Sequence, residues 1–322
     1  FDPAPDYLAR VGELFDLEAF RAAGYTIVCE PLFGSASGYF PRLLGGGRTQ
    51  IVELHGERNP FFGGVNPEPI PPNIDEFLAR IPAEHANVGL AVAGDADRAG
   101  LGDEKGNFVT TLTVYALLMW YLLEVRKLRS PVVKTVNMTS MCDRLGEKYG
   151  VPVHEVPVGF KYIGPKMQET GAMMGGEESG GFGFAMHLPE RDGIVADLFL
   201  LDFMHQTKKT PSQLIGELMA EFGPSFYLRR DLHQEGATYA KKKIEIMDRL
   251  SAAQPRELAG HAVKKVVPLD TKDGVKFFVD DGSWLLVRLS GTEPLVRVYT
   301  ETRAQQEVKP MLDAGERMVT GG

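Results

Sequence analysis

The chain has 322 residues, 43% of them hydrophobic and 24% charged, the balance of a folded globular protein with room for roughly two to three cores. Its formal net charge of −8 gives no general pull toward nucleic acid or an anionic membrane. A phosphate site must therefore be built from locally placed arginines and lysines. Cys29 and Cys142 are too few for a disulfide framework and fit buried thiols in a reducing cytoplasm. The chain opens Phe1-Asp2-Pro3-Ala4-Pro5, with no secretory-signal pattern, and reads as a segment of a longer chain.

In chain order, Tyr25 to Cys29 is rich in β-formers, and the small residues Gly34 to Gly38 make a turn. A short helix ends before Gly45-Gly46-Gly47, and Gln50 to Leu54 is a second strand. His55 to Asn73 holds five prolines and reads as a long loop. A helix near Ile74 to Arg80 leads to the strand Val88 to Ala93. Gly106 to Leu123 carries no charge, and a span of about 18 such residues reaches the membrane threshold. Asn107, Thr110, Thr111 and Thr113 dilute it and no second span exists, so a helix buried on a sheet over Thr110 to Arg129 is expected.

Ser130-Pro131 marks a boundary. Strands at Val132 to Val136 and Val151 to Val158 flank a helix, Cys142 to Tyr149, stopped by Gly150. A short helix precedes Gly171. Asp192 is placed to cap a helix over Ile194 to Gln206, and Pro211 opens another that ends at Gly223-Pro224. From Ser225 the pattern changes to a strand at Tyr227 to Leu232, a helix at Thr238 to Leu250, three β stretches through Thr300, and a helix over Arg303 to Met318. The expected class is α/β: two consecutive α/β mixed-sheet domains, 1–129 and 130–224, then a smaller α+β domain, 225–322.

Three stretches carry chemistry. In Gly94-Asp95-Ala96-Asp97-Arg98, alternate acids on a tight turn suit a hard cation, with Arg98 beside them for a phosphate. A solvated turn is the plainer reading. In Gly176-Glu177-Glu178-Ser179-Gly180-Gly181, acids and a hydroxyl between glycines offer acceptors for sugar hydroxyls. The alternative is a polar loop without a ligand. In Arg288-Leu289-Ser290-Gly291-Thr292-Glu293-Pro294-Leu295-Val296-Arg297, a small-residue turn between two arginines suits an anion. It lacks the Gly-Lys-Ser/Thr of a Walker loop, and a polar hairpin with solvated arginines is the alternative. Lys161 is either a phosphate partner or an ordinary surface lysine. His55, His154, His187 and His205 show no metal-ligand spacing, and no Ser/His/Asp or Cys/His nucleophile set stands out.

Together these stretches resemble the α-D-phosphohexomutase superfamily, the phosphoglucomutase/phosphomannomutase enzymes. The landmarks run in the family's order. They are Phe61-Phe62-Gly63-Gly64 with Asn66-Pro67-Glu68-Pro69, Gly94 to Arg98, Gly159-Phe160-Lys161, Gly176 to Gly180, Glu190-Arg191-Asp192-Gly193, and Arg288 to Arg297. The resemblance implies four domains around one cleft and phosphoryl exchange between the 1- and 6-positions of a hexose. The route runs through a phosphoserine and a bisphosphorylated sugar. It implies Asp95 and Asp97 as Mg²⁺ ligands, and Arg98 and Lys161 as catalytic phosphate partners. Glu177 and Ser179 become readers of sugar hydroxyls, and Arg288, Ser290, Gly291, Thr292 and Arg297 the distal phosphate loop.

Two departures qualify the resemblance. The family's serine pattern, of the type Thr-Ala-Ser-His-Asn-Pro, is not found, so the chain is expected to correspond to domains two to four. An N-terminal domain would complete the cleft, and these residues alone are expected to be inactive. Ala93 stands where the family's first metal-loop acid is expected, so Mg²⁺ binding should be weakened or lost. The expected partners are hexose phosphate and hexose bisphosphate, with no nucleic acid and no membrane. The expected location is cytoplasmic. A non-catalytic sugar-phosphate-binding protein on the same scaffold is the alternative. Glucose, mannose and glucosamine phosphates are not separable from these residues.

Overall fold

The computed structural model describes residues 1–291 and 293–321. They form two compact units, Phe1–Leu218 and a second that begins at Met219.

The first unit opens with two helices outside the expected set, α1 (Ala4–Leu14) and α2 (Leu17–Ala22). Asp16 caps α2 by accepting the Ala19 N–H, a common way to satisfy a free first-turn donor. Buried Val11, Phe15 and Phe20 anchor the pair. Next come β1 (Thr26–Glu30), α3 (Tyr39–Leu44), β2 (Gln50–Glu53), α4 (Asp75–Ala83), β3 (Val88–Val92), β4 (Ala99–Gly102) and β5 (Phe108–Val109). The sheet order is β2-β1-β3-β4-β5. β1 runs parallel to β2 and β3, whereas β3–β4 and β4–β5 are antiparallel. The chain after β3 therefore turns straight back, with Val92 opposite Ala99, and the sheet is mixed rather than purely parallel.

The chain continues through α5 (Thr111–Glu124), β6 (Val132–Thr135), α6 (Met141–Tyr149), β7 (Val153–Val156) and α7 (Phe160–Thr170). Then follow β8 (Met174–Gly176), β9 (Phe182–Phe184), β10 (Leu188–Arg191), α8 (Gly193–Thr207) and α9 (Pro211–Phe222). The second sheet, β10-β9-β8-β6-β7, repeats the plan of the first. Its parallel core is β7-β6-β8, and β9 and β10 extend it antiparallel.

Two apolar helices seat this unit. Every residue of α5 from Val114 to Leu123 is buried, as is α8 from Gly193 to Met204. Thr110 caps α5, and Asp192 caps α8 by accepting the Val195 N–H. α8 packs on β3, β4 and α5. The uncharged run is thus an interior helix, in which each fully buried large side chain contributes about 1.5–3 kcal/mol. Among the described residues no helix is long and apolar enough to cross a membrane.

The second unit contains β11 (Phe226–His233), α10 (Gly236–Ala252), β12 (Glu257–Leu258), β13 (His261–Pro268), β14 (Gly274–Val279), β15 (Trp284–Leu289), β16 (Leu295–Thr302) and α11 (Val308–Thr320). Its sheet, β11-β16-β15-β14-β13-β12, is antiparallel throughout. Val275, Phe277, Leu285, Val287, Val296 and Val298 share a core with Met311 and Leu312 of α11. Period-2 apolar faces against one helix stripe give the α+β class expected here.

Candidate active site

The hairpin between β3 and β4 carries Asp95, Asp97 and Arg98. Its form is set by backbone bonds: Ala96 N–H to the Ala93 carbonyl at 2.8 Å, and Ala93 N–H to the Arg98 carbonyl at 3.0 Å. Ala96 takes a left-handed φ of 62°, which puts the acids on either side of it at the tip. Neighbouring loops clasp the turn. Ser35 N–H donates to the Gly94 carbonyl at 2.8 Å, Ala99 N–H to Gly180 at 3.0 Å, and Gly193 N–H to Ala96 at 2.9 Å. Two of these approaches need glycine. A Cβ on Gly34 would lie 2.2 Å from the Gly94 carbonyl oxygen, and one on Gly193 2.7 Å from that of Arg98.

These contacts bring the cation loop and the sugar loop together at one guanidinium. Arg191 Nη1 lies 2.8 Å from Asp97 Oδ2 and 3.4 Å from Glu177 Oε1. The Phe160 ring lies beneath it, 5.5 Å from centroid to Cζ, a cation–π arrangement. Arg98 is held from the other side, with Nη1 2.9 Å from Glu68 Oε1 and Nε 3.6 Å from Asp97 Oδ1. Glu68 and Arg191 belong to landmarks noted in the sequence but had no assigned role there. A charged residue just ahead of an Asp-Gly helix cap was the available signal for Arg191.

The electrostatics are those of crowded, half-buried acids. Burial, and the Asp95 carboxylate beside it, push the Asp97 carboxyl up to about 6, against the pull of Arg191 and Arg98. Asp97 Oδ1 is buried and accepts no hydrogen bond among the described residues. Burial also raises the Glu177 carboxyl, opposed first by Arg191 and then by Ser179. Glu177 is buried, and Ser179 sits in the same turn. The turn is closed by the Gly180 N–H donating to the Glu177 carbonyl at 3.0 Å.

Lys161 lies in the first turn of α7 and is exposed, its Nζ 5.1 Å from the Tyr162 ring centroid. Its neighbour Phe160 is the ring under Arg191. Among the described residues no ion pair joins Lys161 itself to Asp97 or Glu177.

In the second unit, Arg288 on β15 is directly opposite Arg297 on β16. Acids separate the two cations: Arg288 Nε is 2.8 Å from Asp273 Oδ2, and Arg297 Nη2 2.9 Å from Glu293 Oε2. The turn between them holds Ser290, buried, whose hydroxyl accepts the Glu293 N–H at 3.2 Å. Tyr239 and Lys243 donate to the Ser290 carbonyl at 3.0 and 3.2 Å. Gly291 is exposed, with open space where a Cβ would be, and Thr292 lies outside the described residues.

Among those residues, one three-member group has metal-ligand spacing: His261, Asp280 and Asp281, with ligand atoms within 4.8 Å of one another. It lies in the second unit, and the first unit's loop offers the pair Asp95 and Asp97.

Three domain models of one family match the chain in succession. Domain II of phosphoglucomutase/phosphomannomutase covers residues 5–106, domain III 113–222 and the C-terminal domain 241–314. The chain belongs to the phosphoglucomutase/phosphomannomutase family. A phosphoglucomutase/phosphomannomutase of Thermococcus kodakarensis is 29% identical over 313 residues, covering 97% of the chain and 64% of that protein. A phosphoglucosamine mutase of Oceanobacillus iheyensis is 28% identical over 256 residues, 79% of the chain and 50% of that protein. The crystal structure of a Thermus thermophilus protein assigned as a phosphomannomutase superposes with a TM-score of 0.82 at 33% identity. It covers all of the chain and 67% of that structure. The chain thus spans about two thirds of the length of the Thermococcus member.

Proposed function

We propose that these residues hold the substrate of a phosphohexomutase that interconverts hexose 1- and 6-phosphates. The observation that carries the reading is Arg191, which joins the cation loop at Asp97 to the sugar loop at Glu177. A phosphoryl group and a sugar bound at these two loops would be neighbours. In this reading Glu177 and Ser179 take the sugar hydroxyls. Arg98, braced by Glu68, faces the transferring phosphoryl group, and Lys161 is a second phosphate partner. Arg288, Ser290, Gly291, Thr292 and Arg297 take the distal phosphate. Phosphoryl transfer needs positioned oxygens and charge compensation more than covalent work by the protein. The carrier in this reading is a phosphoserine outside residues 1–322.

The cation loop fits Mg²⁺ with few protein ligands. Such an ion is commonly held by one or two carboxylates plus water and substrate phosphate. Asp95 with the unbonded Asp97 Oδ1 supplies that set, while Ala93 adds no side-chain oxygen. When bound, Mg²⁺ neutralises charge on the transferring group. Glucose, mannose and glucosamine phosphates all suit this donor set.

Ala93 favours a second reading, a sugar-phosphate-binding protein without turnover. Assay of the full-length protein with glucose 1-phosphate, a hexose bisphosphate primer and Mg²⁺ separates the two. Turnover supports the mutase. Retained hexose-phosphate binding with no turnover refutes it in favour of the binder.

A further inference from the structure

A second place in the first unit has the chemistry of an anion site, at the other end of the sheet from the reaction loops. A cavity of about 600 Å³ is lined by Tyr25, Arg48, Asn87, His205, Lys208 and Lys209, with an apolar wall from α2 and Met204. Tyr25 and Asn87 immediately precede β1 and β3, whereas Asp95 and Asp97 follow β3. Five strand residues put the two sites about 17 Å apart.

Among the described residues no carboxylate lines this cavity, although acids outnumber bases in the chain, 43 to 35. Two of the cations, Arg48 and Lys209, are also held by neighbouring groups. Arg48 is pinned by Nε and Nη2, both donating to the Ala22 carbonyl. Lys208 takes a left-handed φ of 58° at the end of α8. Lys209 is oriented by Glu217, 2.6 Å away and outside the lining. The polar groups add donors. Asn87 uses its carbonyl oxygen to accept the Thr26 N–H, which leaves its NH₂ to donate. His205 Nδ1 is 3.3 Å from the Tyr25 hydroxyl, which leaves Nε2. The ends of α2 and α8 attract cations in their own right, with about half a negative charge on a full helix terminus. Satisfying two helix ends does not require three cations, an imidazole and an amide around one hollow.

We propose that this cavity binds a small phosphomonoester at a site separate from the sugar loop. A phosphate is preferred to a carboxylate because the donors outnumber what two oxygens accept, while a phosphoryl group presents three. The volume lies within the range of small-molecule sites, about 300–1,000 Å³.

The test is NMR titration of the isotope-labelled 322-residue chain with inorganic phosphate and then glycerol phosphate. Saturable shifts are expected at the Tyr25, Asn87 and Lys208 amides. In Arg48→Ala/Lys208→Ala the affinity read there should fall roughly tenfold or more. Shifts at Ser290 and Gly291 should be unchanged. Arg48→Lys, which keeps the charge, should retain most of the affinity. Two results would overturn the proposal: no saturable shift at these amides in the unsubstituted protein, or equal affinity in the double variant. Either leaves the mutase reading untouched, because that reading stands on other residues.

Discussion

Asp197 is fully buried on α8, and neither of its carboxylate oxygens has a hydrogen-bond partner among the described residues. Burial pushes its carboxyl well above the usual range, and the Asp192 charge adds to the effect. An isolated carboxylate in such a place is strongly disfavoured, so the group folds protonated. The sign follows from linkage. Above about pH 4 the unfolded chain carries Asp197 ionised, and folding takes up a proton. Stability from this group is full below the unfolded pKa and declines as pH rises toward the folded one. The slope is about 1.4 kcal/mol per pH unit for one proton. Asp197→Asn keeps the shape and removes the proton. The substituted protein should come nearest the parent at or below about pH 4 and gain on it steadily as pH rises above the unfolded pKa. Urea unfolding at several pH values, followed through the transition of the first unit, measures the difference. A stability difference that does not change with pH would refute the reasoning, because it would mean that Asp197 folds ionised.

Arg191→Gln should shift the Asp97 titration upward from about 6, since Arg191 is the leading opposing charge; ¹³C NMR of the labelled carboxyl reads it, and an unmoved titration refutes the ion pair. Gly34→Ala should destabilise the first unit by about 2 kcal/mol or more, because its Cβ meets the Gly94 carbonyl at 2.2 Å; an unchanged urea midpoint would contradict that contact. Ala93→Asp should tighten Mg²⁺ roughly tenfold by calorimetry, and equal affinities would count against Asp95 and Asp97 as ligands. Ala93 is buried, so the same variant should lose stability in a chelator and recover it with Mg²⁺.

Local chemistry made much of the fold legible. Gly150 stops α6 in a left-handed conformation, with φ 67°, and Asp192 caps α8; both are single-residue signals with a mechanism. Elements with short or distant signals were not legible. Strands β9 and β10 have three and four residues, and Phe182-Gly183-Phe184 shows too little alternation to be seen as a strand. The Asp16 cap of α2 was readable but lay ahead of the first strong β signal. The positions of Asp95, Asp97 and Glu177 could be found from turn composition and landmark order. Their junction at Arg191 could not, because an ion pair between residues on different sheets leaves no spacing in the sequence.

The glycine contacts and the ion pairs have different jobs at this junction. The hairpin tip is located by backbone: Ser35, Ala99 and Gly193 amides bond loop carbonyls, and Gly34 and Gly193 allow the chains to approach. Those bonds do not involve the side chains of Asp97, Glu177 or Arg191. Removing Arg191 should therefore change the charge on the tip while the tip stays in place, whereas adding a methyl at Gly34 should move the tip with its charges intact. The first change appears in the Asp97 titration and the second in stability. A variant at Arg191 that unfolds the first unit would show that the salt bridges, and not the backbone clasp, hold the loops together.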